Sequence, residues 1–134
     1  MKLNPQTIEI LMPVPLSMKA TNQLKITNTY LSISSSLVKK MHYPEYARFY
    51  IDRENQLFFI VPCQATTKGA RRFYRPKAGN KTVVLYSKHL LQQLAEVGHM
   101  KLSDREYRFH AQEVEERETA LGFDLSMPVA EDKY

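Results

Sequence analysis

The chain has 134 residues, enough for one compact domain with a hydrophobic core and too few for two domains of ordinary size. Hydrophobic residues make up 43% and charged residues 25% of the sequence, a globular composition that excludes general disorder. No apolar run approaches the ~20 residues that cross a bilayer, and a single cysteine excludes an internal disulfide. We therefore expect one domain over residues 1–134, a cytoplasmic location and no membrane partner.

Charge is distributed unevenly along the chain. Residues 1–90 carry 14 Lys and Arg against 4 Asp and Glu, whereas residues 91–134 carry 5 against 10. A basic body with an acidic final third attracts polyanions on one side and repels them on the other. The alternative is a solvated surface whose charges cluster by chance.

The first half of the chain predicts strands around one short helix. Apolar residues alternate over residues 21–33, which favours an extended segment. The serines at 34–36 are N-cap residues for a short helix through Met41. Residues 47–62 then read as a hairpin, with a polar turn at 52–55 and a proline at the end of the second strand.

The second half restarts with a similar order of elements. Lys81–Tyr86 is rich in β-branched residues and predicts a strand. Ser87 is placed to cap a helix that runs to about Val97, with Gly98 as its stop. A second hairpin is expected between Tyr107 and Leu125.

The two halves can be aligned on each other. Residues 30–41 lie over residues 83–94 at an offset of 53, with apolar and serine positions matched. This predicts an α+β, β-rich domain built from two strand–short helix–hairpin units, at about 22–63 and 81–125. A chance alignment of two common patterns is the alternative.

Residues 64–81, which join the two units, form a cationic segment without an acidic residue. Two glycines and a proline interrupt any regular pattern, so we expect a long basic loop. Such a loop can neutralise phosphates, while its two aromatic side chains stack on bases. The predicted contacts are Lys68, Arg71, Arg72, Phe73, Tyr74, Arg75, Lys77 and Lys81. A solvated linker is the alternative, and because loop charges add little stability, alanine at the three arginines should not change thermal unfolding.

Three further cations extend this predicted footprint if they share its face. They are Lys39 and Lys40 on the first helix and Arg48 on the first hairpin strand. Lys39 and Lys40 are also what the exposed side of a short amphipathic helix carries, and that interpretation is the simpler one.

The unit at residues 26–62 resembles the swapped-hairpin domain of AbrB-like and MazE-like transcription factors. The resemblance rests on Ile33-Ser34 at the helix entry, Leu37 and Met41 on the helix, and Arg48–Ile51 and Leu57–Pro62 on the hairpin strands. It implies a barrel in which two units interlace and bind DNA through basic residues on one face. With an internal repeat, one chain would supply both halves as a pseudo-dimer; otherwise two chains would form a homodimer.

Patterns for catalysis or metal binding are missing from the sequence. The four histidines are scattered, without the i, i+4 spacing of a helical metal site. Cys63 follows an apolar strand, so we expect a buried, inert thiol. The glutamates at 113–118 are expected on an exposed turn or outer face. We therefore predict no enzyme, no metal and no cofactor.

These patterns favour a DNA-binding regulator or accessory protein, with RNA as a second nucleic-acid partner. The alternative belongs to another class, a small phage-type inhibitor or adaptor that binds a host protein or ribonucleoprotein. A basic loop also suits an acidic protein surface, and the eight tyrosines are typical of interfaces.

Overall fold

A computed structural model describes residues 23–75 and 81–129, which form two antiparallel sheets and two helices. The first sheet contains β1 (Gln23–Ile26), β2 (Leu31–Ile33), β6 (Val83–Leu85) and β7 (Tyr107–His110). The second contains β3 (Tyr46–Asp52), β4 (Leu57–Pro62), β5 (Arg71–Arg72), β8 (Gln112–Val114) and β9 (Arg117–Asp124). The helices are α1 (Ser35–Lys40) and α2 (Lys88–Gly98). The coarse prediction of a strand-rich α+β domain is confirmed.

The four-stranded sheet has the order β6-β2-β1-β7 and buries one face. Leu24 and Ile26 on β1 and Leu31 and Ile33 on β2 are fully buried, as alternation along a half-buried strand requires. The single extended segment expected over residues 21–33 is in fact a hairpin. The Thr27 hydroxyl makes the turn between its strands, because it accepts the backbone N–H groups of residues 29 and 30.

The five-stranded sheet has the order β5-β3-β4-β9-β8 and supplies the other half of the core. The predicted β3–β4 hairpin is confirmed. Phe58 on β4 and Phe123 on β9 are partners in register, and their rings stack with centroids 5.9 Å apart. Ile60 and Leu121 make the next buried pair along the same two strands.

The turn of the β3–β4 hairpin is held by Asp52. Its carboxylate accepts the side-chain amide of Asn55 and the backbone N–H of the same residue, both at 3.0 Å. These bonds, the side-chain one above all, favour the charged form and hold the pKa of Asp52 below its ordinary value. The stability they contribute is therefore present above the ordinary pKa and is lost as the pH falls through the lowered pKa.

The two helices begin at serines that act differently. Ser87 caps α2, because its hydroxyl accepts the backbone N–H of Leu90 at 3.3 Å. Ser34 stands at the N-cap of α1, but its hydroxyl accepts the N–H of Gln23 on β1 instead. The end of α2 also differs from the prediction by one residue. Gly98 is the last residue of α2, and His99 takes the left-handed conformation (φ 54°) that ends it.

The second predicted hairpin is only partly right. Residues 107–125 form three strands, and the first of them, β7, leaves to pair with β1 in the four-stranded sheet. The hairpin itself is β8–β9, with its turn at Glu115 and Glu116. The aromatic at Phe109 explains the split, since its fully buried side chain fills the core beneath the first sheet.

Strands from the two halves of the chain meet in both sheets. In the first, β2 pairs with β6, and in the second, β4 pairs with β9. The first half contributes β1, β2, a helix and the β3–β4 hairpin, and the second contributes β6, a helix, β7 and the β8–β9 hairpin. The AbrB-like barrel is a finer arrangement than this topology establishes.

Gly98→Ala should lower stability, although alanine usually stabilises a helix by about 0.5–1 kcal/mol relative to glycine. An added Cβ would lie 3.1 Å from Leu125 Cβ and 3.2 Å from the Leu125 carbonyl oxygen. We expect the cost of overpacking to exceed the gain in helix propensity, so that the free energy of unfolding measured in urea falls by about 1 kcal/mol. Gln92→Ala, on the exposed side of the same helix, is the control, and a stabilised Gly98→Ala protein would contradict the packing described.

Ser87→Ala should destabilise the protein by about 1 kcal/mol, because it removes the side-chain acceptor at the first turn of α2. Ser87→Asp should retain most of the stability, since aspartate accepts the same N–H group. Thermal unfolding followed by circular dichroism measures both. Equal midpoints for the alanine and aspartate variants would show that the cap contributes nothing.

Candidate nucleic-acid-binding surface

A groove of about 590 Å³ lies between the edges of the two sheets. One wall is β5, at the edge of the five-stranded sheet, and the other is β6, at the edge of the four-stranded sheet. Three arginines from the first wall line it, and residues 82–87 line it from the second. We call this the arginine groove, and its arginines are Arg71, Arg72 and Arg75.

The segment expected as a free basic loop is partly structural, which corrects the prediction for residues 64–81. Arg71 and Arg72 form β5 and pair with β3, opposite Ala47 and Tyr46. The next two backbone N–H groups continue the attachment, since Phe73 donates to the Glu45 carbonyl at 2.8 Å and Tyr74 to that of Pro44 at 3.0 Å. The arginines are therefore held in place by the sheet.

The aromatic pair in this segment serves the core, which corrects the prediction that both residues stack on bases. Phe73 is only 3% exposed and meets Phe49 edge to face, with ring centroids 6.3 Å apart. Tyr74 is half-buried and packs on Tyr43 at 5.1 Å. A base has no access to the Phe73 ring, because apolar burial has already used that surface.

The arginines of the groove differ in their surroundings. The Arg71 guanidinium lies over the Phe49 ring at 5.2 Å. That of Arg72 lies over the Tyr46 ring at 5.6 Å and is 3.6 Å from the Glu45 carboxylate. Arg75, which follows β5, is exposed to solvent. Stacking on a ring covers the face of a guanidinium group and not the N–H donors at its edge, although in Arg72 one of those nitrogens already faces Glu45.

Lys68 and Lys81, which were also predicted as contacts, are close to the groove arginines in sequence but do not line the groove. Lys81 is exposed, with its ammonium 5.8 Å from the centre of the Tyr43 ring. Lys68 is exposed in the turn before β5. Lys77 lies outside the residues that the structure describes.

Arg48 borders a second depression, of about 330 Å³, that it shares with Arg71. Its Nη1 donates to the Tyr50 hydroxyl at 3.0 Å. Its Nε is buried and has no hydrogen-bond partner within residues 23–75 and 81–129. Gly69 (φ 85°) packs against the same side chain, so the turn before β5 covers Arg48. Arg48 does not line the arginine groove itself, but it shares this second depression with Arg71.

Lys39 and Lys40 are exposed at the end of α1 and do not line the arginine groove. Lys40 instead lies 3.5 Å from the carboxylate of Glu113 and borders a depression next to the β8–β9 turn. The exposed Glu115 and Glu116 lie in that turn and the exposed Glu118 lies at the start of β9, which agrees with the predicted exposed turn and outer face. The exposed-helix interpretation of the two lysines therefore fits the structure better than a shared footprint.

Sequence reasoning missed the second wall of the groove. Tyr86, just after β6, is 76% exposed and Val84 is 37% exposed, whereas Val83 beside them is buried in the core. Alternation along Lys81–Tyr86 could have revealed them, because residues 84 and 86 share the face opposite Val83.

Other chemistry finds little support in the described ranges. Within them, the structure shows no group of three or more His, Cys, Asp and Glu side chains that could hold a metal ion. Cys63 is a free thiol of intermediate exposure, so the expectation of a buried cysteine is wrong. No helix of the described chain is long and apolar enough to cross a membrane.

Comparisons of the chain with protein-family models, with curated proteins and with solved structures returned no match.

Alanine at Arg71 should cost about 0.5–1 kcal/mol of stability, because it removes the guanidinium that covers the Phe49 ring. Arg75→Ala should change stability by less than about 0.5 kcal/mol, since the side chain is exposed. This replaces the expectation that all three arginines are neutral. Chemical denaturation of the two single variants tests it, and identical midpoints would show that Arg71 is not part of the packed surface.

Proposed function

We propose that the protein binds nucleic acid, DNA in the first place, as a non-enzymatic regulator or accessory protein. The observation that carries this proposal is the arginine groove, whose lining contains three arginines and, among the described residues, no acidic side chain. Phosphate neutralisation by arginine and lysine supplies most of the affinity of proteins for nucleic acids.

Fixed guanidinium groups suit this task better than mobile ones. Arg71 and Arg72 belong to a strand that is hydrogen-bonded to β3, and their guanidinium groups lie over aromatic rings, so less backbone entropy is lost when they meet a phosphate than from a free loop. Their planar donor sets match phosphate oxygens in a bidentate manner. Lys68 and Lys81 add positive charge at the two ends of the segment.

The acidic part of the chain is separate from this groove. The depression next to the β8–β9 turn is lined by glutamates at 113, 115, 116 and 118 and shares no residue with the groove. Because like charges repel, such a division restricts how a polyanion approaches the protein. It supports one orientation of the bound nucleic acid.

We further propose that the two halves correspond to two AbrB-like units in one chain. The pairs β2–β6 and β4–β9, each joining one strand from each half, support this arrangement. In that family, two units interlace and present basic residues on one face, which here would be the face of the arginine groove. The chain would then act as a pseudo-dimer.

Binding should be tested by fluorescence anisotropy over a salt series, with a labelled mixed-sequence duplex beside single-stranded DNA and RNA. We expect affinity to fall steeply with salt, and a triple Arg71→Gln, Arg72→Gln, Arg75→Gln variant to bind much more weakly. On duplex, its log–log salt slope should be smaller by about 0.9 for each phosphate that the variant no longer neutralises. The matched control removes three exposed charges elsewhere, in Lys101→Gln, Arg105→Gln, Arg117→Gln.

The control should bind as the unaltered protein does. Equal losses of affinity in both triple variants would mean that net charge alone drives binding and that the groove is not the site. No binding of any nucleic acid at low salt would overturn the proposal and favour the protein-binding alternative, an inhibitor or adaptor that docks on an acidic partner.

A further inference from the structure

The outer face of the four-stranded sheet carries mostly polar side chains, with Val84 as an exposed apolar residue among them. Its strands alternate, so that residues 24, 26, 31, 33 and 109 point into the core and their neighbours point outward. Val84, Ser32, Lys25 and Arg108 are successive partners in register, one from each strand. They form a row across the whole sheet, about 14 Å long at the usual strand spacing.

Two cations stand opposite each other in this row. Lys25 on β1 and Arg108 on β7 are Cα partners, and like charges directly opposite each other destabilise an antiparallel pair. Arg108 is partly neutralised by Glu106, 2.7 Å away, and the Lys25 ammonium lies 5.5 Å from the centre of the Tyr30 ring. Both cations border a depression of about 320 Å³ with Gln23, Ser32, Ser34 and Thr82.

This depression adjoins the arginine groove at one residue. Thr82 lines both, and Val84 lines the groove and begins the row that ends at Arg108. A path therefore leads from Arg71, Arg72 and Arg75, over the edge strand β6, to the cation pair on β1 and β7.

Exposed aromatic rings lie beside the same path. Tyr86 is the most exposed large apolar side chain among the described residues, at 76%. Its ring centroid is 6.1 Å from that of Tyr30, which in turn contacts Lys25. A tyrosine ring open to solvent on a polar sheet is a stacking platform for an unpaired base.

We infer that the ligand is a single-stranded nucleic acid that runs from the arginine groove across the outer face of the four-stranded sheet. This inference rests on the proposed function and adds the class of substrate to it. Phosphates lie against the arginines, Lys25 and Arg108, while a base stacks on Tyr86. A duplex cannot use Tyr86 in this way, because the faces of its bases are already stacked on each other.

The test compares a labelled single-stranded DNA with the same strand annealed to its complement, and an RNA of the same sequence as a third arm. The unaltered protein should bind the single strand more tightly than the duplex. Tyr86→Ala should weaken single-strand binding about fivefold or more, the lower range for removal of one stacked base. Tyr86→Phe should restore it, since the ring is retained, and Met127→Ala, at an exposed apolar side chain after β9, should have no effect.

A separate double variant tests the contribution of the cation pair Lys25 and Arg108. Lys25→Gln, Arg108→Gln should reduce the log–log salt slope on single strands by about 0.7 for each phosphate left without its cation. Lys101→Gln, Arg117→Gln removes one lysine and one arginine elsewhere and should leave the slope unchanged. Circular dichroism and thermal unfolding confirm that each variant is folded.

The outcomes separate this inference from the proposed function. If the arginine-groove variant loses binding while Tyr86→Ala and the Lys25, Arg108 variant bind normally, the groove is the site and the path across the sheet is wrong. Tighter binding of duplex than of single strand would also overturn the inference. If the unaltered protein binds no nucleic acid at low salt, both proposals fail.

Discussion

Neither sheet of this protein can form from one half of the chain, and this mutual dependence determines most of the structure. The pairs β2–β6 and β4–β9 join distant segments, and the rings of Phe58 and Phe123 stack across the second pair. The inner faces of both sheets share one cluster of buried apolar side chains. Because hydrophobic burial is the main favourable term in folding, the two halves gain it only by packing together.

The edges of the two sheets determine where the candidate surface lies. Each sheet must stop somewhere, and β5 and β6 are the edges that lie on either side of the arginine groove. Edge strands leave backbone groups unpaired, and proteins protect such edges with charged side chains. Arg71 and Arg72 on a strand of only two residues serve that purpose, and the same charges are available to an anion. The phosphate binding proposed above would therefore use residues that also protect an edge.

Local sequence patterns are enough to predict those strands and helices that depend only on neighbouring residues. Alternation, turn residues and a cap predict the β3–β4 hairpin and the Ser87-capped α2, and both are present. Register between distant strands has no local signal, so the sequence places β7 in a hairpin although it pairs with β1. Charge dominates the composition of the basic segment and predicts a loop, whereas two backbone-paired arginines and the buried Phe73 decide its structure. Lys25 and Arg108, far apart in sequence, become neighbours only through that same register.

The β1–β7 pairing has a consequence for how the chain folds. Leu24 is opposite Phe109, and Leu57 is opposite Asp124, so the contacts that complete both sheets have a high contact order. During synthesis, β1 to β4 leave the ribosome well before their partners and must wait with apolar faces and strand edges exposed. A chain shortened before β9 would keep the edge of β4 permanently open, and aggregation rather than partial function is its expected fate. Rapid completion of translation, or a chaperone that shields β4, therefore matters more to this domain than to a helical one of equal length.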